Sequence, residues 1–409
     1  MAISKNLTMA FHPAVQMWTA TKINSGGSLS MHHARATRLL RTMICTLLLS
    51  VMSISLFGPF GQHSYGQVLS YQETTNTTTF QLVVQASPHA AYRSESSFEN
   101  KKLQRELEQL QTGASYTEPL PPDTTLIYHQ KGQTQHYGVT ENGELVDPMT
   151  KSIYAVSPGV QEGLRTQVQA LRAQHYGEIL TWEDASAVIP KYSKFTITDV
   201  ESGLSFEGQR RAGSSHADVQ PLTKTDSATL KTIYGGAWSW DRKAVLVKFN
   251  GRTLAGSMHG MPHGGDGIPG NDFNGHFCIH FLGSVTHGSH SSDPAHQVMV
   301  HRAAGLLTSY ISKLSPWALI DVWISGANQG DLQLLQVTTG QEQAVHVRSM
   351  RRLSKFPERD VSQLLEFEAA VDVTVTPARA SAPAHRRVLF RLERASLDSR
   401  WYIRSAVMQ

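Results

Sequence analysis

Apolar residues recur along this chain with two periods, and the period changes from region to region. Leu164, Val168 and Leu171 fall on one face of a predicted helix from Val160 to Tyr176. The same spacing sets Leu103, Leu107 and Leu110 among Lys, Arg, Glu and Gln between Ser97 and Gln111, which predicts an amphipathic helix in a stalk or linker, ended by Pro119, Pro121 and Pro122. Other stretches alternate with period two. Thr77 to Val84 reads as a strand, and 123 to 157 as short strands with turns at Glu141-Asn142-Gly143 and Asp147-Pro148. Ile189 to Val200 and Ser202 to Phe206 read as strand, turn, strand, and Ala244 to Phe249 as a strand ending at an Asn250-Gly251 hairpin signal.

After about residue 296 the pattern changes to helices first and strands last. His296 to Leu314 and Pro316 to Trp323 read as helices, with a short helix start at Gly330-Asp331. Leu364 to Thr376, Arg386 to Glu393 and Trp401 to Val407 follow as strands of an antiparallel sheet. The expected fold class is therefore α+β. Four regions follow: 1–66, a basic flank with a signal peptide or membrane anchor; 67–177, linker, helix and short strands; 178–295, β-rich; and 296–409, α+β. The helix-then-sheet order of the last region, closing on Trp401-Tyr402-Ile403, resembles the NTF2-like cone fold, which implies a binding or dimerising module and the option of a homodimer through that region.

The apolar run Thr42 to Phe60 follows Arg35, Arg38 and Arg41 and precedes Gly, Pro and polar residues, the order of a secretory signal. Ser64-Tyr65-Gly66 offers a small-x-small cleavage site, and Met31 is an alternative start. An uncleaved anchor is the other reading, at the short end of the roughly 17 to 25 residues a membrane helix needs. Both place the chain after about residue 67 outside the cytoplasm, secreted or membrane-anchored. The 409 residues, 40% apolar and 17% charged, describe a folded globular protein of about two or three domains. A net charge of +4 without a dense Lys/Arg stripe makes nucleic acid a poor partner and leaves an anionic cell-envelope polymer a fitting one.

Chemistry concentrates in one segment. Of the two cysteines, Cys45 lies in the apolar run, so Cys278 is the sole thiol of the exported part and no internal disulfide is available to it. It stands in Gly275-His276-Phe277-Cys278-Ile279-His280, and the stretch from Met258 to His301 adds His259, His263, His287, His290 and His296. Imidazole next to a thiol lowers its pKa, accepts its proton, or joins it on a metal. On a strand His276 shares the face of Cys278, while His259 or His263 arrives from the preceding segment. Zinc accepts such a mixed set, and His259-x3-His263, His276-x-Cys278-x-His280 and His216-Ala217-Asp218 supply more than the three ligands a hydrolytic site needs. The segment's glycines oppose a helix and no Glu follows His259, so this is no HExxH site. Gly264, Gly265, Gly267 and Gly270 suggest a loop able to cover Cys278. Trp182, Trp238 and Trp240 belong to the core if buried and are stackers of sugar rings if exposed.

His259-Gly260 followed about twenty residues later by Gly275-His276-Phe277-Cys278-Ile279-His280 resembles the L,D-transpeptidases of bacterial cell walls, whose upstream His-Gly precedes a Ser-His-Gly-Cys-x-Arg run. The resemblance implies Cys278 as nucleophile, His259 or His263 as base and His276 as an orienting group. The chain departs from that pattern at Phe277, where the family has glycine, and at His280, where it has arginine. Ser214-Ser215-His216-Ala217-Asp218 is faintly similar to the Ser-x-x-His…Asp of secreted zinc D,D-peptidases, with a shorter His-to-Asp interval. The order of strand, Ser-Gly turn and loop from Ile189 to Leu222 looks like the double-psi β-barrel of glycan-cleaving proteins, in which Asp218 would be an acid or base.

These readings converge on an exported bacterial cell-envelope protein. The first is a cell-wall enzyme using Cys278 in acyl transfer or amide hydrolysis on peptidoglycan peptides, with no cofactor. The second is a zinc-dependent hydrolase using His259, His263, His276, Cys278 and His280, with His216 and Asp218 in support. The third is a non-catalytic envelope-binding or assembly protein.

Overall fold

The structure is a computed structural model that describes residues 79–409 apart from 131, 266, 289, 354, 356–358 and 379–381. The expected signal or anchor segment lies outside the described residues. Among these, no helix is long and apolar enough to cross a membrane.

The chain is a mixed α+β fold in three strand systems. The first comprises β1 (Thr79–Gln85), β2 (Arg93–Glu99), β3 (Gln111–Ser115), β4 (Thr124–Gln130), β5 (Gln133–Val139), β6 (Leu145–Val146) and β7 (Ser152–Ala155), in the order β2-β1-β4-β5-β6-β7-β3. Phe80, Leu82 and Val84 of β1 alternate into its core with Leu126 and Tyr128 of β4. Helix α1 (Lys101–Leu107) is capped by Asn100, whose side chain accepts from the amides of Lys102 and Leu103. The amphipathic reading of Ser97 to Gln111 is thus corrected: β2 runs into its first residues, β3 takes its last, and the helix between them is two turns long. Leu103 is fully buried in this sheet's core, so the stretch is built into the fold instead of forming a stalk. Three leucines at helical spacing mark a helical face, but they do not say what covers it.

Helix α2 (Pro158–His175) begins with Pro158 in its first turn and buries Val160, Leu164, Val168 and Leu171, the predicted stripe, with contacts to β1 and β2. After α3 (Trp182–Val188) comes the second system, a closed antiparallel barrel: β8 (Lys194–Asp199), β9 (Ser205–Ala212), β10 (Ala217–Pro221), β11 (Lys243–Phe249), β12 (Arg252–Met258) and β13 (Phe277–His280), in the order β10-β13-β12-β11-β8-β9. Helix α4 (Lys224–Ile233) follows β10 and starts with a capping box between Thr223 and Asp226. The predicted hairpin forms: Asn250 and Gly251 turn β11 into β12 with φ of 48° and 78°, the positive pair a two-residue hairpin loop requires. Phe195, Ile197, Phe206, Val219, Val245, Val247, Leu254, Phe277 and Ile279 fill the interior.

Ala244, Leu246 and Ala255, on the outward face of β11 and β12, belong to a different core. Helix α5 (Pro294–Ala303), started by Asp293 as its cap, packs there through Val298, Met299 and Ala303. It is followed by α6 (Leu307–Ile311), α7 (Pro316–Gln329) and α8 (Leu332–Thr339). The third system is a four-stranded antiparallel meander of β14 (Val347–Arg352), β15 (Glu366–Pro377), β16 (Ala384–Glu393) and β17 (Tyr402–Met408). Phe367, Val371, Val373, Phe390, Leu392 and Ile403 form its apolar face, in one core cluster with Leu319, Ile320 and Trp323 of α7. Polar-rich β14, Val-Arg-Ser-Met-Arg-Arg, carries only Met350 into the core and is not visible as a strand by alternation.

Candidate functional site

The strands β10 and β13 lie side by side with Ala217 opposite Ile279, Asp218 opposite Cys278 and Val219 opposite Phe277. Because successive side chains leave a strand on opposite faces, this register sends Ala217, Val219, Phe277 and Ile279 into the barrel and sets Asp218 beside Cys278 on its outer face. That face is not open to water: Cys278 is 3% exposed and Asp218 6%. Residues 259 to 276 and 281 to 293 and helix α5 supply the groups around it.

One carboxylate oxygen is the hub. Asp218 Oδ1 lies 3.1 Å from His287 Nε2, 3.4 Å from His216 Nε2, 3.7 Å from His276 Nε2 and 4.0 Å from Cys278 Sγ. His216 Nδ1 is 2.7 Å from the carbonyl oxygen of Val285. A carbonyl only accepts, so Nδ1 carries the proton and the neutral ring's lone pair is at Nε2, which is buried without a hydrogen-bond partner. On the other side of the thiol, His263 Nε2 is 3.4 Å from Cys278 Sγ, and its Nδ1 donates to the Met261 carbonyl at 3.0 Å, which aims the lone pair at sulfur in the same way.

His263 and His276 are brought together by the backbone, whose amides and carbonyls pair reciprocally at 3.0 and 2.8 Å. Glycine makes this possible. Gly275 has φ 118° and a Cβ there would stand 2.5 Å from the His263 carbonyl oxygen, while one on Gly264 would strike the His276 ring at 2.3 Å. The remaining imidazoles form a stack. The His280 ring lies between His216, at 4.5 Å, and His296 of α5, at 3.8 Å and nearly parallel; His259 continues the series 6.0 Å from His296 and 5.1 Å from His263. Trp240 caps it at 4.6 Å from His259 and 5.2 Å from His263, yet is 48% exposed. Trp182 and Trp238 are half-buried and pack on Phe281 and Phe273.

Burial favours the neutral forms of His259, His276, His280, His296 and the Cys278 thiol. Burial depresses the pKa of His259 and His296 well below the ordinary value, lowers that of His276, and takes His280 down to about 3. Asp218 is pulled two ways: burial raises its pKa, but the imidazoles of His216, His276 and His287 around it outweigh that and hold the carboxyl below its usual range. The sequence-based expectation that flanking histidines lower the thiol's pKa is corrected here. Burial first, and the Asp218 carboxylate second, push the Cys278 thiol well above its ordinary value.

Two sets of ligand-capable atoms, each within 4.8 Å of one another, meet at the thiol: His216, Asp218, Cys278 and His287; and His259, His263 and Cys278. A tetrahedral zinc site with bonds of about 2.0 to 2.3 Å has edges of roughly 3.3 to 3.8 Å, close to the 3.1, 3.4 and 4.0 Å found around Asp218 Oδ1. The donor set, an acceptor-only carboxylate, a thiol and imidazoles with free lone pairs, fits zinc. Of the residues singled out in the sequence, Cys278, Asp218, His216, His259 and His263 fall in these sets. His276 stands beside them, and His280 is stacked between rings and belongs to neither set. His287 and His296 were visible only as members of a histidine-rich segment; nothing in their local spacing distinguished them. Compared with known proteins, the chain matches no family model, no curated protein and no solved structure.

Proposed function

We propose that this protein is a zinc-dependent hydrolase of the bacterial cell envelope, with His216, Asp218 and Cys278 as the buried ligands and His287 at a fourth, solvent-facing position. One observation carries the reading: ligand-capable atoms of these four residues lie within 4.8 Å of one another, and one of them, His216 Nε2, is buried with no hydrogen-bond partner. A buried imidazole nitrogen left unpaired costs about 1 to 3 kcal/mol unless something binds it. A bound zinc ion would supply Lewis acidity and a water of lowered pKa, the chemistry needed to open an amide.

The chain's own residues suit the rest of the task. Val285 holds His216 in the tautomer that ligates. His287 is 49% exposed at its side chain, against 2% for His216, so it can leave the ion to admit water or substrate while the buried three retain it. His276, kept neutral by burial and 3.7 Å from Asp218, stands where a proton acceptor is required. Trp240 offers an exposed ring at the rim for a substrate to stack on. The proposed substrate, a peptidoglycan peptide, and the extracytoplasmic location rest on the sequence: the export-type segment and the cell-wall resemblance. The NTF2-like reading of the C-terminal region is supported by four helices followed by a four-stranded antiparallel meander, and would give an accessory contact module.

The test is zinc content and amidase activity of the full-length protein on peptidoglycan fragments. Chelation should abolish activity and zinc should restore it; His287→Ala should keep the zinc of this site, and Asp218→Asn should lose it together with activity. Loss of the metal on removing His287 would indicate a closed structural site and overturn the hydrolase reading. A second reading has its own observation, the His263 imidazole oriented at 3.4 Å from the Cys278 thiol. In that case Cys278 attacks the amide as an acyl-transfer nucleophile with His263 as base. Activity that survives chelation and vanishes in Cys278→Ser would select it.

A further inference from the structure

We infer that the centre is dinuclear, with a second zinc ion held by His259, His263 and Cys278 and the Cys278 thiolate bridging the two ions. This rests on the metal-centre reading above and extends it. The two ligand sets share only Cys278, the sole cysteine among the described residues. A thiol with imidazole and carboxylate donors of one set and two imidazoles of another has more ligating neighbours than one tetrahedral ion uses, whereas a thiolate sulfur has lone pairs enough for two.

The second set has the marks of a ligand shell independently of the first. His259 is 97% removed from solvent, being 3% exposed, and its Nδ1 has no hydrogen-bond partner. His263 has its Nδ1 proton committed to the Met261 carbonyl, which leaves Nε2 as the atom facing sulfur. His259 ends the barrel wall just after β12, and His263 is anchored to the strand leading into β13 by its backbone pair with His276. Both rings are therefore placed by the sheet instead of by a free loop. Trp240 lies against both, at 4.6 and 5.2 Å, and screens them from water. Soft thiolate with imidazole and no carboxylate in this set selects zinc over calcium or magnesium. Loading both ions forms the thiolate by releasing the Cys278 proton to solvent.

The experiment is metal counting by native mass spectrometry on the full-length protein, stripped by chelation and reloaded with zinc alone. The wild type should bind two zinc ions, the His259→Asn/His263→Gln variant one, His216→Ala one, and Cys278→Ser fewer than one. Binding of a single ion that the His259/His263 variant retains overturns the second site and leaves the hydrolase reading standing; no zinc bound at all overturns both. A measurement free of substitution guards against misfolded variants. On titration with cobalt, the thiolate-to-cobalt absorption should keep growing to the second equivalent. Saturation at one equivalent means that only one ion touches Cys278 and removes the bridge.

Discussion

The outer face of the barrel and the helix-and-meander region bury polar groups in opposite ways. In the latter, buried and half-buried charges close on one another, although Arg302 Nε and Trp323 Nε1 are left without a partner: Arg302 of α5 makes two bonds of 2.6 and 3.0 Å to Asp331, which also caps α8, and Arg352 makes two of 2.8 and 2.9 Å to Asp321. On the barrel, His216, His259, His276 and His280 each keep a buried nitrogen without a partner, around a carboxylate and a thiol. Paired burial is self-sufficient and needs nothing from outside; unpaired burial is a cost that a bound ligand can offset. The helix-and-meander region thus has the marks of scaffold and the barrel face those of a candidate site.

Removing one member of the closed pair should have the largest effect. Arg302→Met leaves Asp331 partly buried without its counter-charge and should lower the unfolding free energy by about 3 to 5 kcal/mol in urea, with zinc content per folded molecule unchanged. A variant that loses both stability and zinc would break the separation of scaffold from site.

His175 gives the next largest effect and serves as the control for the histidine cluster. It too is fully buried with one partnerless nitrogen, Nε2, but its other nitrogen meets only the Ser94 hydroxyl, at 3.0 Å, and no thiol is beside it. Burial takes its pKa down from 6.5 to about 4. The unfolded chain therefore binds the extra proton first, so stability is full above about pH 6.5 and falls as the pH drops toward 4, by about 3 kcal/mol for this group. His175→Leu should make the slope of unfolding free energy against pH shallower over that window, in zinc-bound and zinc-free protein alike.

Zinc itself should stabilise the wild type by about 2.7 kcal/mol for each site filled at a hundredfold excess over its Kd, read as a rise in Tm, and should raise the Tm of Asp218→Asn by less. An equal rise in both would place the ion elsewhere. Least in size, Trp240→Ala should weaken substrate binding by about 1 kcal/mol, a rise in KM of roughly fivefold with kcat retained, since an exposed ring contributes stacking and little more.

Much of the scaffold was legible because it obeys one period at a time. The α2 stripe, the β8 and β9 hairpin, β11 with its Asn-Gly turn and the last three strands all carry unbroken alternation or helical spacing, and all formed within a few residues of their expected limits. Where an element is short or buried on every side, the signal fails. Ala-Asp-Val-Gln-Pro of β10 alternates over only five residues and buries its polar face as well, so its sequence did not say that both faces are covered, and α1 is too brief for its leucines to separate it from the strands around it. The histidine-rich segment announced a site, but its membership was not readable, for Asp218 and His287 lie 60 and 9 residues from Cys278, on a strand and in a loop.

The sequence alone determined most of the longer elements, the export-type segment as an expectation, and the chemical types available near residue 278, because propensity, hydrophobic period and residue chemistry are local properties. Tertiary structure decided which of those groups meet. The β10 and β13 register set a carboxylate opposite the thiol, the segments packed over the barrel's outer face excluded water from both, and the carbonyls of Val285 and Met261 chose which imidazole nitrogens were left free. Proximity across sixty residues, the loss of solvent and the direction of a lone pair are properties of packing, and they gather around one cysteine a set of groups that could hold a metal.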